Sequence, residues 1–461
     1  MGKLLKGQKP DHTNNRLNAL FICAPSTGTL DSWVPAIHKL KDKYPGSSYT
    51  ILFPRSHILV DSDLDSSLIQ LSGPLFNDIV FRGPQGSVWY KSDTFKKAKE
   101  STTSLQKKIS YRNRILRFVP DRFQKRLFDN EKLVTKESHQ IENMQGFLSQ
   151  FHAVFYDVAL HNKIYQRPIL DMMKDTPKFS ISHGLNPRNY IPLKSDLSEN
   201  GLSGENISAF VNSNAEKTPY QARFGLSPES TVITGVPRHH PDWIEYFTQT
   251  ESELKKADTL FKDEFIFLIS RRYNPDYHPI ERMRKSIELI KYVAFEVLKV
   301  KVVIKLHPKE TDRSLYEEIL GKDEYGKKWI FSNAHFYTIG KRCLFAVCYF
   351  SGVSVDLIPL NVPTIELLDL RGIKKYENGR MKDEQGAPVL NYRYSGLVLG
   401  ASTKSEFLNH VHAVMHNKKD KMKELEAAYK KLYSDPKDSL DIIADTILKR
   451  SLHDKNYSHN N

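Results

Sequence analysis

Short apolar runs rich in β-branched residues alternate with amphipathic stretches along this chain, and each run stops at a small, polar or proline residue. Leu17–Ala24 reads as a first strand, Pro25-Ser26-Thr27-Gly28-Thr29 as a small-residue turn, Ser32–Lys43 as a helix and Tyr49–Phe53 as the next strand. This β-α-β opening predicts a parallel, doubly wound sheet. Ala153–Ala159, Lys178–Ser182, Ser208–Ser213 and Thr231–Val236 continue it, with helices over Lys163–Lys174 and Asn214–Phe224, the latter stopped by Gly225. A polar, charged stretch broken by Pro241 follows, and a second alternating series starts at Phe265–Ser270. The expected architecture is α/β with two Rossmann-like domains. They cover residues 1–240 and 264–430, joined by a linker over 241–263 and followed by a helix and disordered tail over 431–461.

The second series carries the densest chemistry. After a helix from about Ile280 to Val297, the run Val302–Leu306 stops at His307-Pro308, because proline has no N–H to continue a ladder. A strand over Leu344–Phe350 stops at Ser351-Gly352-Val353-Ser354, a helix follows over Val355–Leu360, and Asn361–Glu366 is a strand ending in a carboxylate. Strand ends of this kind supply what an anion needs: a ring nitrogen, backbone donors at a helix start and side chains small enough for close approach. The pattern reads as a site for a nucleotide mono- or diphosphate. Lys305, His307, Pro308, Ser351, Gly352, Ser354 and Glu366 are its candidate donor-binding residues, and Arg271 at the end of Phe265–Ser270 and Arg238 in Gly235-Val236-Pro237-Arg238 are candidate phosphate partners.

Composition narrows the partners. The chain has 461 residues and a formal net charge of +14, which favours anionic ligands and is equally compatible with nucleic acid on charge alone, although no nucleic-acid-binding motif is present. Three cysteines, Cys23, Cys343 and Cys348, support neither a disulfide framework nor a zinc site, and point to a reducing cytoplasm. The first 25 residues do not resemble a signal peptide, and no stretch approaches the roughly 20 apolar residues of a spanning helix. Any membrane attachment is expected to be peripheral.

The stretches IKLHPKE and SGVSVDLIPLNVPTIEL resemble the carboxyl-terminal half of GT-B-fold transferases of bacterial surface polysaccharides. That group includes CDP-glycerol glycerophosphotransferases, capsule Kdo transferases and bacterial sialyl- and polysialyltransferases. The resemblance implies that His307, Ser351 and Ser354 bind the phosphate of a cytidine-nucleotide donor, with a glycan or lipid-linked acceptor. Without a Zn-spaced ligand set, and with basic residues to neutralise a leaving phosphate, no metal or other cofactor is expected. The glycerophosphotransferases show Asp-Tyr-Ser-Ser where this chain has Tyr349-Phe350-Ser351-Gly352, so the likeness is to the wider group rather than to that donor. By the same resemblance His183, in the His183-Gly184 pair after Lys178–Ser182, is the candidate general base; an imidazole has the pKa for it, about 6.5. Asp157 is the alternative base, since sialyl- and Kdo-type relatives use an acidic residue.

Three other readings stay open. Ile58–Asp65 holds an Asp-x-Asp of the kind that GT-A transferases use for a divalent metal. Residues 96–128 interleave Lys107, Lys108, Arg112, Arg114, Arg117, Arg122, Lys125 and Arg126 with Ile109, Ile115, Leu116, Phe118, Phe123 and Phe128. That pattern suits either a helix on anionic lipid or a solvated helix packed on its own domain. A non-hydrolysing UDP-GlcNAc 2-epimerase would share the GT-B architecture.

Overall fold

The computed structural model describes residues 16–23, 29–61, 66–83, 88–116, 138–181, 184–185, 202, 205–275, 278–307, 310, 312–371 and 390–457, with backbone alone at 108–109, 111–116, 215 and 453–457. Fifteen strands are found among them. In the amino-terminal half these are β1 (Asn18–Ile22), β2 (Ser48–Phe53), β3 (Asp78–Arg82), β4 (Trp89–Ser92), β5 (His139–Ile141), β6 (Ala153–Tyr156), β7 (Lys178–Ile181), β8 (Ile207–Val211) and β9 (Thr231–Ile233). They form one sheet in the order β5-β4-β3-β2-β1-β6-β7-β8-β9. It is parallel except where β4 pairs with β3 and β5. The carboxyl-terminal half holds β10 (Phe265–Ile269), β11 (Lys301–Lys305), β12 (Trp329–Phe331), β13 (Ala346–Cys348), β14 (Thr364–Leu367) and β15 (Leu399–Ala401). Their order, β12-β11-β10-β13-β14-β15, is the doubly wound order in which connections reverse direction beside the first strand.

The central strands are apolar along their whole length, as buried parallel strands must be: every residue of β6, β10 and β13 is buried. Helices cover both faces. Thr29–Lys43 buries Leu30, Trp33, Val34, Ile37 and Leu40, and Ile280–Lys291 buries Met283, Ile287 and Ile290 at helical spacing before a π-helical turn over Tyr292–Val297.

The stretch 241–263, expected as the linker, is largely helical. It forms helices Pro241–Thr248 and Glu251–Asp258, because Trp243, Ile244 and Phe247 supply an apolar face that the core accepts. The chain then returns. After the helical stretch Lys404–Leu432, kinked at Asn417, the helix Ser439–Tyr457 packs on Thr29–Lys43 and joins the amino-terminal core through Leu440, Ile443, Ala444 and Ile447. Lys43 meets Asp441 and Asp445 at 2.8 and 2.7 Å, and Arg450 donates to the Ser208 hydroxyl at 2.6 Å. The expected tail is therefore helical through residue 457, since Ser451 is buried and Leu452 packs on the same core.

Two further expectations meet the edges of what is described. The helix Phe95–Leu116 buries Phe95, Ala98 and Leu105 in its own domain, while the basic residues beyond 116 lie outside the described residues. The Asp-x-Asp stretch is outside them from 62 to 65. Among the described residues, no helix is long and apolar enough to cross a membrane. Cys23, Cys343 and Cys348 are all buried thiols.

Candidate active site

The site is built where β10 and β13 part. Pairing of Ile269 with both Lys305 and Cys348 brings Arg271, His307 and Phe350 to one level, two residues past the ends of three adjacent strands. This is the topological switch point of the sheet, the place where open α/β folds bind ligands. Phe350 adopts φ +117°, a conformation that costs a non-glycine residue of order 1–3 kcal/mol and persists only where its surroundings impose it. Arg271 imposes it from above: Nη1 donates to the Phe350 carbonyl at 2.8 Å and the guanidinium lies over the Phe350 ring, 5.0 Å from its centroid. Cys348 anchors it from below, its sulfur facing the backbone N–H groups of Phe350 and Ser351. Ser351 and Gly352 are left at the half-buried lip of the turn.

His307 is half-buried beside it, in a turn closed by the Glu310 N–H on the His307 carbonyl at 2.8 Å. The Glu310 carboxylate accepts from the hydroxyls of Ser270, at the end of β10, and Tyr316. Burial pushes its pKa up, against those hydrogen bonds. Glu310 thus ties the His307 turn to the neighbouring strand. Pro308 lies outside the described residues, as does His183, two positions past the last residue of β7.

Several expected ligands have other duties. Ser354 is fully buried and donates to the Ser351 carbonyl at 2.7 Å, so it shapes the turn instead of reaching into the crevice. The helix after it is Val353–Asp356, followed by a 3₁₀ turn Ile358–Leu360, and four residues give little dipole for an anion. Lys305 donates to the Ala334 carbonyl at 2.8 Å. Glu366 lies inside β14 rather than at its mouth, fully buried between Cys348 and Gly400 in register, with Arg393 Nε 3.4 Å away. Burial, opposed by Arg393, pushes its pKa up to about 7. Asp157 is 2% exposed and caps the turn Val158–Leu160 through a bond from the Ala159 N–H at 2.9 Å, an arrangement that favours a structural role over proton transfer.

Arg238, expected to meet a phosphate, is committed to protein partners instead. It is buried and bonded across the domain junction: Nε donates to Asp356 Oδ1 at 2.7 Å, Nη2 reaches Asp356 Oδ2 at 3.5 Å, and Nη1 donates to Ser32 at 3.2 Å. His239 completes the junction, with Nε2–H donating to Asp356 Oδ1 at 2.7 Å and Nδ1 accepting from Tyr429 at 2.7 Å. Asp356 follows the Ser351 turn by five residues, so this cluster fastens the site to the amino-terminal domain. Two smaller crossings flank it. The Tyr392 hydroxyl donates to the Leu185 carbonyl at 3.2 Å, and Glu253 accepts from Ser67 on one side and from Thr338 and the His335 N–H, at 3.0 Å, on the other. A lone aspartate inside VSVDLIPL was the available signal for Asp356, because a carboxylate among apolar residues requires a partner.

The junction makes stability depend on pH. Burial raises the Asp356 pKa, but Arg238 and His239 outweigh it and hold the carboxyl at about 2, below its ordinary 3.8. Burial also lowers His239 from 6.5, against the attraction of Asp356. A depressed carboxyl contributes stability that is present above its unfolded pKa and lost as pH falls through the folded one. A depressed imidazole likewise makes the unfolded state bind the proton first, so stability falls as pH drops below 6.5. The share of the thermal midpoint that these two groups carry should decline in two stages from pH 8 to 3, below about 6.5 and again below about 4, while Glu216, Glu310 and Glu366, raised by burial, oppose the upper one. His239→Gln should remove its own share of that upper decline, to which His161 and His278, also lowered by burial, add theirs; a decline of wild-type size between about pH 7 and 5 in that variant contradicts the assignment.

Together the two sheets and the crevice between them define a GT-B fold of two Rossmann-like domains. No protein-family model and no curated protein matches the sequence. Solved structures do match the fold along nearly the whole chain. The chain is similar to Staphylococcus aureus MnaA in complex with UDP (TM-score 0.53, 12% identity, 94% of this chain and 96% of that one). It is similar to UDP-GlcNAc 2-epimerase from Neisseria meningitidis bound to UDP-GlcNAc (0.54, 13%, 94% and 100%). It is also similar to the wall teichoic acid polymerase TagF (0.54, 12%, 95% and 90%).

Proposed function

We propose that this protein is a transferase of cell-surface polysaccharide synthesis that moves a glycosyl or polyol-phosphate group from a cytidine-nucleotide donor to a glycan or lipid-linked acceptor. The observation that carries the reading is the alignment of Arg271, His307 and the Ser351–Gly352 lip at the switch point of the carboxyl-terminal sheet. It suits the phosphates of a nucleotide: the imidazole meets the leaving oxygen, the small lip lets the phosphate approach, and Arg271 fixes the lip's shape. The acceptor hydroxyl approaches from the amino-terminal domain, where His183 is proposed to take its proton as the bond to the departing nucleotide breaks. The donor phosphate is neutralised by side chains and not by a metal, and the protein works in the cytoplasm, on the inner face of the membrane where residues 96–128 contact anionic lipid.

Transfer from CMP- and CDP-activated donors to lipid-linked acceptors, assayed before and after exhaustive EDTA treatment, tests this. Full turnover after EDTA is expected. Activity abolished by EDTA and restored by Mn²⁺ points instead to the Asp-x-Asp stretch. The similarity to UDP-GlcNAc 2-epimerases supports a second reading. Turnover of UDP-GlcNAc with no acceptor present, and none of the cytidine donors, selects it.

A further inference from the structure

Tyr392 touches both halves of the crevice at the phosphate lip. Its ring lies against Phe350, with centroids 5.4 Å apart, and its hydroxyl stands so close over Gly352 that a Cβ there would come within 3.2 Å of it. The same hydroxyl donates to the Leu185 carbonyl at 3.2 Å. Burial raises the pKa of the phenol, and the negative charges of Asp356 and Glu366 add to the effect, so the group stays protonated and remains a donor.

Both ends of this bridge are fixed. Tyr392 lies in the helical turn Asn391–Tyr394, and its neighbour Arg393 fastens that turn to β14: Nη2 donates to the carbonyls of Glu366 and Leu368 at 3.0 and 2.9 Å, and Nε stands 3.4 Å from the Glu366 carboxylate. The buried Glu366 thus serves the turn that carries Tyr392. At the other end Leu185 belongs to the amino-terminal half, yet its side chain is 3% exposed in the apolar core of the carboxyl-terminal domain, in one cluster with Phe350, Val355 and Tyr392. Leu185 follows His183 by two positions in the chain. A phenylalanine ring would fill the space of Tyr392, so what the hydroxyl contributes is the link between lip and Leu185.

We propose that Tyr392 is a positioning residue of the transfer reaction: it sets the segment Gly184–Leu185, next to His183 in the chain, against the nucleotide at the Ser351–Gly352 lip. The proposal rests on the function given above. A misplacement of about 1 Å can slow catalysis on the order of 100-fold, so Tyr392→Phe should lower kcat by about ten-fold or more while donor KM and CDP affinity stay within about two-fold of wild type. The test compares the full chain, Tyr392→Phe, His183→Ala and the double variant in transfer assays with cytidine donors and in CDP titrations, and measures hydrogen exchange of the peptide that carries Leu185. In the His183→Ala background the loss of the hydroxyl should cost no further turnover, because the group that it positions is gone. The Leu185 peptide should exchange about five-fold faster in Tyr392→Phe, the effect of one lost hydrogen bond on a local opening, with the rest of the chain unchanged. Wild-type kcat in Tyr392→Phe, an equal fold-loss in both backgrounds, or a loss of CDP affinity as large as the loss of turnover overturns the proposal. If the wild type transfers from no cytidine donor, the function given above fails, and the exchange measurement decides the bridge by itself: faster exchange at Leu185 sustains it and unchanged exchange overturns it.

Discussion

Asp356→Ala should destabilise the protein by about 3–5 kcal/mol, the usual effect of stripping one partner from a buried ion pair. Arg238 would be left buried with no carboxylate, since its remaining bond is to the Ser32 hydroxyl, and His239 would lose the acceptor for its Nε2–H. Burial makes the Arg238 charge costly, and Asp356 more than compensates, holding its pKa above the ordinary value. The double variant Asp356→Leu, Arg238→Met removes both charges at similar volume and should recover most of the loss. Denaturant unfolding of the three proteins checks this. A single variant within about 0.5 kcal/mol of wild type, the range of ordinary surface substitutions, contradicts the buried pair.

His183→Ala should lower turnover by roughly 10²–10⁴-fold, the range for a lost general base, while nucleotide affinity stays near wild type. The two effects separate because the nucleotide is assigned to the other domain. Asp157→Asn is the matched control: its carboxylate caps a turn, so the substitution should cost stability more than rate. If His183→Ala keeps wild-type turnover and Asp157→Asn does not, the acidic residue is the base and the mechanism is of the sialyl and Kdo type. Wild-type turnover in both places the chemistry elsewhere.

The fold was legible because both sheets are buried on two faces, and strands such as Phe265–Ile269 and Lys301–Lys305 then read as short runs rich in β-branched and aromatic residues, bounded by polar residues or proline. The edges were harder. β12 and β15 have three residues each, too short for a pattern, and β4 and β5 run antiparallel at the sheet margin. Strand ends located His307, Ser351 and Arg271, since position at a carboxyl end is itself a sequence property. What each side chain does there was not legible. Arg238, Ser354, Lys305 and Glu366 have the chemistry of phosphate or ribose ligands, yet their partners, Asp356, the Ser351 carbonyl, the Ala334 carbonyl and Arg393, are fixed by tertiary packing. Asp356 and Arg238 stand 118 residues apart, and no local signal joins them.

The central claim is a nucleotide held at the carboxyl-terminal switch point, and calorimetric titration of CMP, CDP and UDP into wild type and His307→Ala tests it most directly. A cytidine nucleotide should bind the wild type and lose on the order of 1.5–3 kcal/mol in the variant, the worth of a hydrogen bond to a charged group. Binding that His307→Ala leaves unchanged, or no binding of any of the three nucleotides to the folded wild type, contradicts it.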